Sequence, residues 1–163
     1  MKNLFLLFTL LCSVCFLGAQ NSIPTTAIKN LDGKSLTLQD CIKPGKVTII
    51  SFWATWCSPC KKELDAVAES WESWKKSYNC DLFAITVDDR RTLGKVKPMV
   101  AEKGWTFEVY SDVNKDLLTA LSGQSVPFTV VIDKAGNIAH IHNGYTPGDE
   151  VELEAKVKEL AAK

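Results

Sequence analysis

Hydrophobic and polar positions follow two different periods along the chain, and the switches between them mark the elements. Residues 27–31 and 35–38 are short extended runs on either side of an Asp32-Gly33 turn, which predicts a small β-hairpin near the start. A second turn around Pro44 and Gly45 leads into residues 47–54, a β-branched and aromatic run with little alternation. Such a run suits a central strand covered on both faces. From Pro59 to Tyr78 the spacing changes to threes and fours. Leu64, Val67, Trp71, Trp74 and Tyr78 then share one face of a helix. Pro59 is tolerated in the first turn, where its missing N–H has no intrahelical partner to lose.

The remainder alternates in the same way. Residues 82–87 predict a second strand, and residues 92–103 a helix that Pro98 breaks or starts late. Residues 107–110 read as a strand and 114–121 as a short helix. Residues 128–132 and 137–141 form a hairpin around the turn at Asp133 to Gly136, and 149–160 close the chain as an amphipathic helix. The order hairpin, βαβ, α, β, α, ββ, α predicts an α/β fold with a mixed central sheet and helices on both faces.

The first residues are set apart from this pattern. Lys2 precedes an apolar run from Leu4 to Leu17, followed by Gly18 and Ala19. A positive start, a short apolar stretch and small residues describe a secretory signal peptide, residues 1–19, with cleavage after Ala19. The run is shorter than the roughly 20 residues that span a bilayer. Two alternatives stand beside cleavage: an uncleaved membrane anchor, or lipid attachment at Cys15, against which Val14 counts. All of these readings export the protein to the periplasm or cell envelope.

Residues 20–163 then form one domain. The full chain, at 46% apolar and 23% charged residues, has the composition of a globular protein with a single core. Nineteen basic and nineteen acidic side chains balance, and no Lys/Arg-rich run offers a footprint for nucleic acid. Contact with a membrane is expected only through an uncleaved signal segment. Of six cysteines, Cys12 and Cys15 leave with the signal. Cys41, Cys57, Cys60 and Cys80 remain, an even number in an exported protein.

The chemistry concentrates at Trp56, Cys57, Ser58, Pro59 and Cys60, between the central strand and the long helix. Two cysteines separated by two residues at a helix start can close a disulfide with little backbone movement. The same geometry makes them unequal. Cys57 faces the unpaired N–H groups and the positive end of the helix dipole, which stabilise a thiolate. Cys60 lies one turn further in and is expected to be more buried. Cys57 is thus the nucleophile and Cys60 the resolving thiol. Lys61 and Lys62 add positive charge nearby and are expected to face solvent. A zinc site needs two further ligands, yet Cys41 and Cys80 lack a second CxxC, and His140 and His142 lie far along the chain on a strand. A c-type haem site is excluded by Lys61, where that motif requires His. No metal or cofactor is expected.

The segment from Phe52 to Lys61 resembles the active-site segment of the thioredoxin superfamily. The hairpin before it, the Gly144 to Gly148 segment and the signal peptide make the chain most similar to the exported TlpA/ResA-like branch. The likeness runs from about Thr25 to Leu160 and is most specific at Trp56 to Cys60 and at Val126-Pro127. It implies a thioredoxin-like fold and a thiol–disulfide oxidoreductase of the protein-disulfide reductase type, acting on disulfides of exported proteins. A membrane thiol or electron donor would recharge it, as in cytochrome c maturation or general thiol repair. It also implies that Pro127 is cis and faces the cysteines, with the Val126 backbone pairing an extended substrate segment. Trp56, beside Cys57, is expected to be exposed and to shape the substrate groove.

One departure matters. Thioredoxins carry a buried Asp six residues before the first cysteine, where this chain has Ser51. The proton of Cys60 then passes to water or to another carboxylate, with Asp88, Asp89 and Glu63 as candidates by chain position. The run Asp88 to Arg91 otherwise reads as a solvated loop, and His140 and His142 as solvent-facing. Trp53 is expected in the core, and Trp71, Trp74 and Tyr78 as packing. Cys41 and Cys80, each before a central strand, could form a structural disulfide or remain two buried thiols. Two other functions compete. A peroxiredoxin would need Pro-x-x-x-Thr-x-x-Cys, which is absent. A redox-inert binding module or chaperone would use the groove beside Pro127.

Overall fold

The computed structural model describes residues 23–163; the expected signal peptide, residues 1–19 with Cys12 and Cys15, lies outside them. Strand β3 (Val47–Trp53) is buried along its whole length, which is what its unbroken run of branched and aromatic side chains requires. It pairs in parallel with β4 (Cys80–Thr86) and antiparallel with β6 (Phe128–Ile132), and both neighbours are buried throughout. With β1 (Ala27–Asn30), β2 (Ser35–Thr37), β5 (Glu108–Ser111) and β7 (Ile138–Asn143), the seven strands run β2-β1-β5-β4-β3-β6-β7.

Five helices cover the sheet: α1 (Leu38–Cys41), α2 (Ser58–Tyr78), α3 (Val96–Lys103), α4 (Asp116–Ala120) and α5 (Asp149–Ala161). Helices α2 and α5 pack together over one face. Trp53 points into that layer and meets Trp105 edge to face at 5.0 Å, while Trp105 Nε1 donates to Asp65 of α2. Side chains alternate along a strand, so Phe52 points the other way. There it meets Phe128 at 5.9 Å, and Phe128 lies against the Leu118–Gly123 segment of α4 and its exit.

Several boundaries differ from the pattern reading, each for a local reason. The second hairpin strand stops at Thr37 because Asp40 accepts hydrogen bonds from the Thr37 backbone N–H and hydroxyl, starting α1 at Leu38. Strand β4 begins two residues early, at Cys80, because pairing with Val47 extends it. Helix α4 begins at Asp116 rather than at residue 114, where the Asp112 carboxylate takes the amides of Asp116 and Leu118. Pro98 does delay α3: a 3-10 turn at Leu93–Lys95 precedes it, and the proline sits third in the helix.

Candidate active site

The turn between β3 and α2 builds the site. Cys57 is the N-cap of α2, in an extended backbone conformation, and its Sγ accepts the N–H of Cys60 at 3.3 Å. The two cysteines are joined as a disulfide with Cα atoms 5.4 Å apart. Cys57 is 5% exposed and Cys60 0%, so the reachable sulfur is the one at the helix N-terminus. Trp56 stands out beside it at 59% exposure. Lys61 does not simply face solvent. It bends back so that Nζ donates to the Thr55 carbonyl at 3.0 Å, bracing the turn from the helix side.

The Val126–Pro127 peptide bond is cis and leads directly into β6. The Val126 carbonyl oxygen lies 3.9 Å from Cys57 Sγ, so this backbone borders the reactive sulfur. Across the sheet, Pro127's own carbonyl accepts Gly144 N–H at 2.9 Å.

Three carboxylates were open as proton partners of Cys60, and their surroundings separate them. Asp89 is on the surface, and its hydrogen bond to the Arg91 side chain holds it down at about 2. Asp88 is not part of a solvated loop. It is fully buried, and its carboxylate takes the Thr55 N–H at 2.8 Å, the Thr55 hydroxyl at 2.6 Å and the Thr86 hydroxyl at 2.6 Å. Burial pushes its pKa up, but the donors on Thr55 and Thr86 outweigh that and leave it lowered. A carboxylate so held is a clamp on the active-site turn. Glu63 lies on α2 three residues beyond Cys60, hence on the same side of the helix, and is 4% exposed. Burial pushes its carboxyl up to about 7, against the Thr129 hydroxyl that donates to Oε1 at 2.7 Å. Among the described residues, neither Glu63 Oε2 nor Ser51 Oγ has a hydrogen-bond partner. Glu63 alone of the three is buried, raised and one helical turn from Cys60. The signal for it was an ionisable residue set inside the apolar stripe of α2.

The histidines also differ from expectation. His140 and His142 are only half-exposed and lie against α5, with stacked rings 6.5 Å apart, and His142 Nε2 lies 3.1 Å from Asp149 Oδ2. Burial comes first in lowering the pKa of His140. Cys41 and Cys80 are free thiols, which corrects the structural-disulfide alternative. Cys41 lies beside Tyr110, whose ring meets Phe83 of β4 edge to face at 5.5 Å. Strand alternation turns Cys80 to the face opposite Phe83. Burial pushes both thiols up, Cys80 to about 11, as for inert structural thiols. Trp53, Trp71 and Trp74 are buried in the core, and Tyr78 is partly buried at its edge. Among the described residues, no three His, Cys, Asp or Glu side chains are arranged to hold a metal ion.

The AhpC/TSA family matches residues 19–141, well over half of the chain. A thioredoxin-like protein YneN of Bacillus subtilis (strain 168) is 30% identical over 132 residues, covering 79% of this chain and 74% of that relative. A thiol-disulfide oxidoreductase ResA of Geobacillus kaustophilus (strain HTA426) is 27% identical over 132 residues, covering 81% and 73%. Among solved structures, an uncharacterized thioredoxin-like protein from Porphyromonas gingivalis superimposes with a TM-score of 0.76 at 37% identity, over 86% of this chain and 92% of that one.

Proposed function

The chain belongs to the AhpC/TSA family and is a thiol–disulfide oxidoreductase of thioredoxin-like fold, and on that premise we propose that it is an exported protein-disulfide reductase. The observation that carries this reading is the asymmetry of the pair. Cys57 Sγ accepts a helix N-terminal amide beside Trp56 and the Val126 carbonyl, while Cys60 is sealed beneath it.

In the reduced enzyme, Cys57 attacks as the thiolate, which the helix N-terminus favours. It displaces one sulfur of a substrate disulfide and forms a mixed disulfide. An extended substrate segment pairs with the Val126 backbone beside Pro127 and packs on Trp56. Cys60 then gives its proton to Glu63 and attacks Cys57 Sγ, releasing the second substrate thiol and leaving the Cys57–Cys60 disulfide. A carboxyl with a pKa near 7 is matched to that exchange, because it takes and returns a proton at little cost near neutral pH. Residues 1–19 act as the export signal and residues 20–163 as the working domain in the periplasm or cell envelope. A membrane thiol donor recharges the pair, with cytochrome c maturation or thiol repair as the process served. The relative named ResA and the pattern of residues 1–19 support this setting. The peroxiredoxin alternative lacks its motif, since Ile50 and Ala54 stand where a Pro and a Thr would precede Cys57.

The test is a redox titration of the chain freed of residues 1–19, with alkylation and mass mapping of each cysteine. The reading expects a reversible Cys57–Cys60 couple on the order of thioredoxin's −270 mV or lower. A couple near the roughly −120 mV of strong oxidants would reverse the direction to disulfide donation. No reversible couple would leave a redox-inert binding module.

A further inference from the structure

A row of polar side chains crosses the sheet beneath α2. Ser51 of β3 pairs with Thr129 of β6, and Thr129 pairs with His142 of β7. Directly paired residues turn their side chains to the same face, about 5 Å apart. The three therefore form a line from the buried centre of the sheet to its edge, where the His142 side chain is 35% exposed. Glu63 reaches this line from α2, with Oε1 on the Thr129 hydroxyl and Oε2 unpartnered. Glu63, Thr129, His142 and Asp149 line one small cavity of about 20 Å³ between α2, α5 and the edge strand. That is room for about one water, in a polar setting that could hold it.

His142 is held in place. Its Nε2 lies 3.1 Å from Asp149 Oδ2, and the same oxygen takes the Thr146 N–H at 2.7 Å. A carboxylate only accepts hydrogen bonds, so Nε2 carries the proton and Nδ1 is the basic nitrogen. The ionisable groups around the ring are Glu63 from α2, Asp149, Glu150 and Glu152 from α5, His140 on its own strand, and Tyr145 from the loop between them.

We propose that His142, oriented by Asp149, is the exit station that carries the proton of Cys60 from Glu63 to solvent. This rests on the reading of Glu63 as the base for Cys60. During resolution the Cys60 S–H bond breaks and its proton goes to the Glu63 carboxylate, while the Cys60 sulfur forms a bond to Cys57 Sγ. The bond between Cys57 and the substrate sulfur breaks. That sulfur leaves with the electron pair and takes a proton from solvent. Glu63 then passes its proton across the cavity to His142, which releases it at the sheet edge and returns to the neutral ring. Recharging runs the route inward. An imidazole suits this station because one ring nitrogen can accept a proton while the other holds or gives one up.

The test follows single turnover of the purified, fully reduced protein against a chromogenic disulfide between pH 5 and 9, separating attack by Cys57 from resolution by Cys60. His142→Gln is expected to leave attack within about twofold and to slow resolution on the order of tenfold or more near pH 7. Free imidazole in the buffer restores most of that loss, which a packing defect would not allow. Asp149→Asn gives a smaller loss in the same step. Glu63→Gln slows resolution at least as much, and imidazole does not rescue it. Normal resolution in His142→Gln with slow resolution in Glu63→Gln would overturn the exit route and leave Glu63 as the base. Normal resolution in both would overturn the reading of Glu63 as well. A slow His142→Gln that imidazole fails to rescue would assign His142 to packing and also overturn the proposal.

Discussion

Thr129 donates a 2.7 Å hydrogen bond from Oγ1 to Oε1 of Glu63, tying the strand that follows Pro127 to the helix that begins at the cysteine pair. The two residues are far apart in the chain and meet because β6 pairs with β3, beneath α2. The bond fixes one oxygen of a buried carboxyl. The other oxygen has no hydrogen-bond partner among the described residues, so the group is oriented without being locked into its charged form.

That balance sets a pH dependence of stability. Burial holds the Glu63 carboxyl at about 7 rather than 4.5, against the pull of the Thr129 hydroxyl. Between these values the folded protein keeps a proton that the unfolded chain has already lost. The stability linked to Glu63 is therefore complete below about 4.5 and is lost as pH rises through about 7. The displacement corresponds to roughly 3 kcal/mol at most. Denaturant unfolding of the oxidised protein at pH 5 and pH 8 should show wild type losing that amount relative to Glu63→Gln. An unchanged difference between the two pH values would mean that Glu63 titrates as an ordinary surface carboxyl.

The unequal burial of the two cysteines separates their variants. Cys60→Ser should still attack a disulfide substrate but stop at the mixed disulfide on Cys57, since no resolving sulfur follows. The trapped adduct is expected in near-stoichiometric yield by mass spectrometry. Cys57→Ser should form almost none, because Cys60 is fully buried beneath the turn. Comparable adducts in both variants would contradict the assignment of roles.

The parts of this site that could be read along the chain are the local ones. Cys57 to Cys60 stands out because a buried-strand pattern ends just before it and a helical stripe begins just after. Pro127 was legible only through the resemblance of Val126-Pro127 to a family segment, since nothing local marks which proline faces the cysteines. Glu63 was one of three carboxylates because its environment depends on Ser51, Thr129 and His142 lining up across three strands, a matter of register. Asp88 looked solvated because charged residues follow it. Its burial comes from Thr55 and Thr86, which bring donors from two different segments. Helix α1 escaped the pattern because a four-residue helix has no period to detect.

Gly123 marks a close approach that no other residue can make. A Cβ there would overlap Leu118 Cδ1 and come within 2.9 Å of Phe128 Cδ1. Phe128 is the first residue of β6, next to Pro127, so strain at Gly123 is passed to the backbone that borders Cys57. Gly123→Ala should lower stability by about 1–3 kcal/mol, the usual cost of overpacking. It should also reduce kcat/KM more than an equally destabilising substitution on the far end of the sheet. Unfolding curves and turnover measured on the same preparations would check both, and unchanged stability would mean that Leu118 moves aside freely.

Asp88 and Thr55 supply the sharpest mutational test of how the active-site turn is held. Asn at position 88 keeps the shape but turns one acceptor oxygen into a donor nitrogen, which must donate to the Thr55 hydroxyl and so reverse that hydrogen bond while removing the charge that strengthens all three. Weakening the charge-assisted bonds of a buried carboxylate in this way costs about 1–3 kcal/mol. Asp88→Asn should therefore be destabilised by about that amount at pH 7. The pH dependence runs opposite to that of Glu63. The Asp88 pKa is lowered in the fold, so its contribution is present above the ordinary carboxylate range and is lost as pH falls below it. The gap between wild type and variant should narrow at pH 3. Because Thr55 precedes Trp56 and Cys57, the attack step should slow as well, while the oxidised disulfide still forms. Denaturation at the two pH values and single-turnover attack rates would decide it. A variant with wild-type stability would show that the turn is held by Lys61 and the disulfide without the clamp.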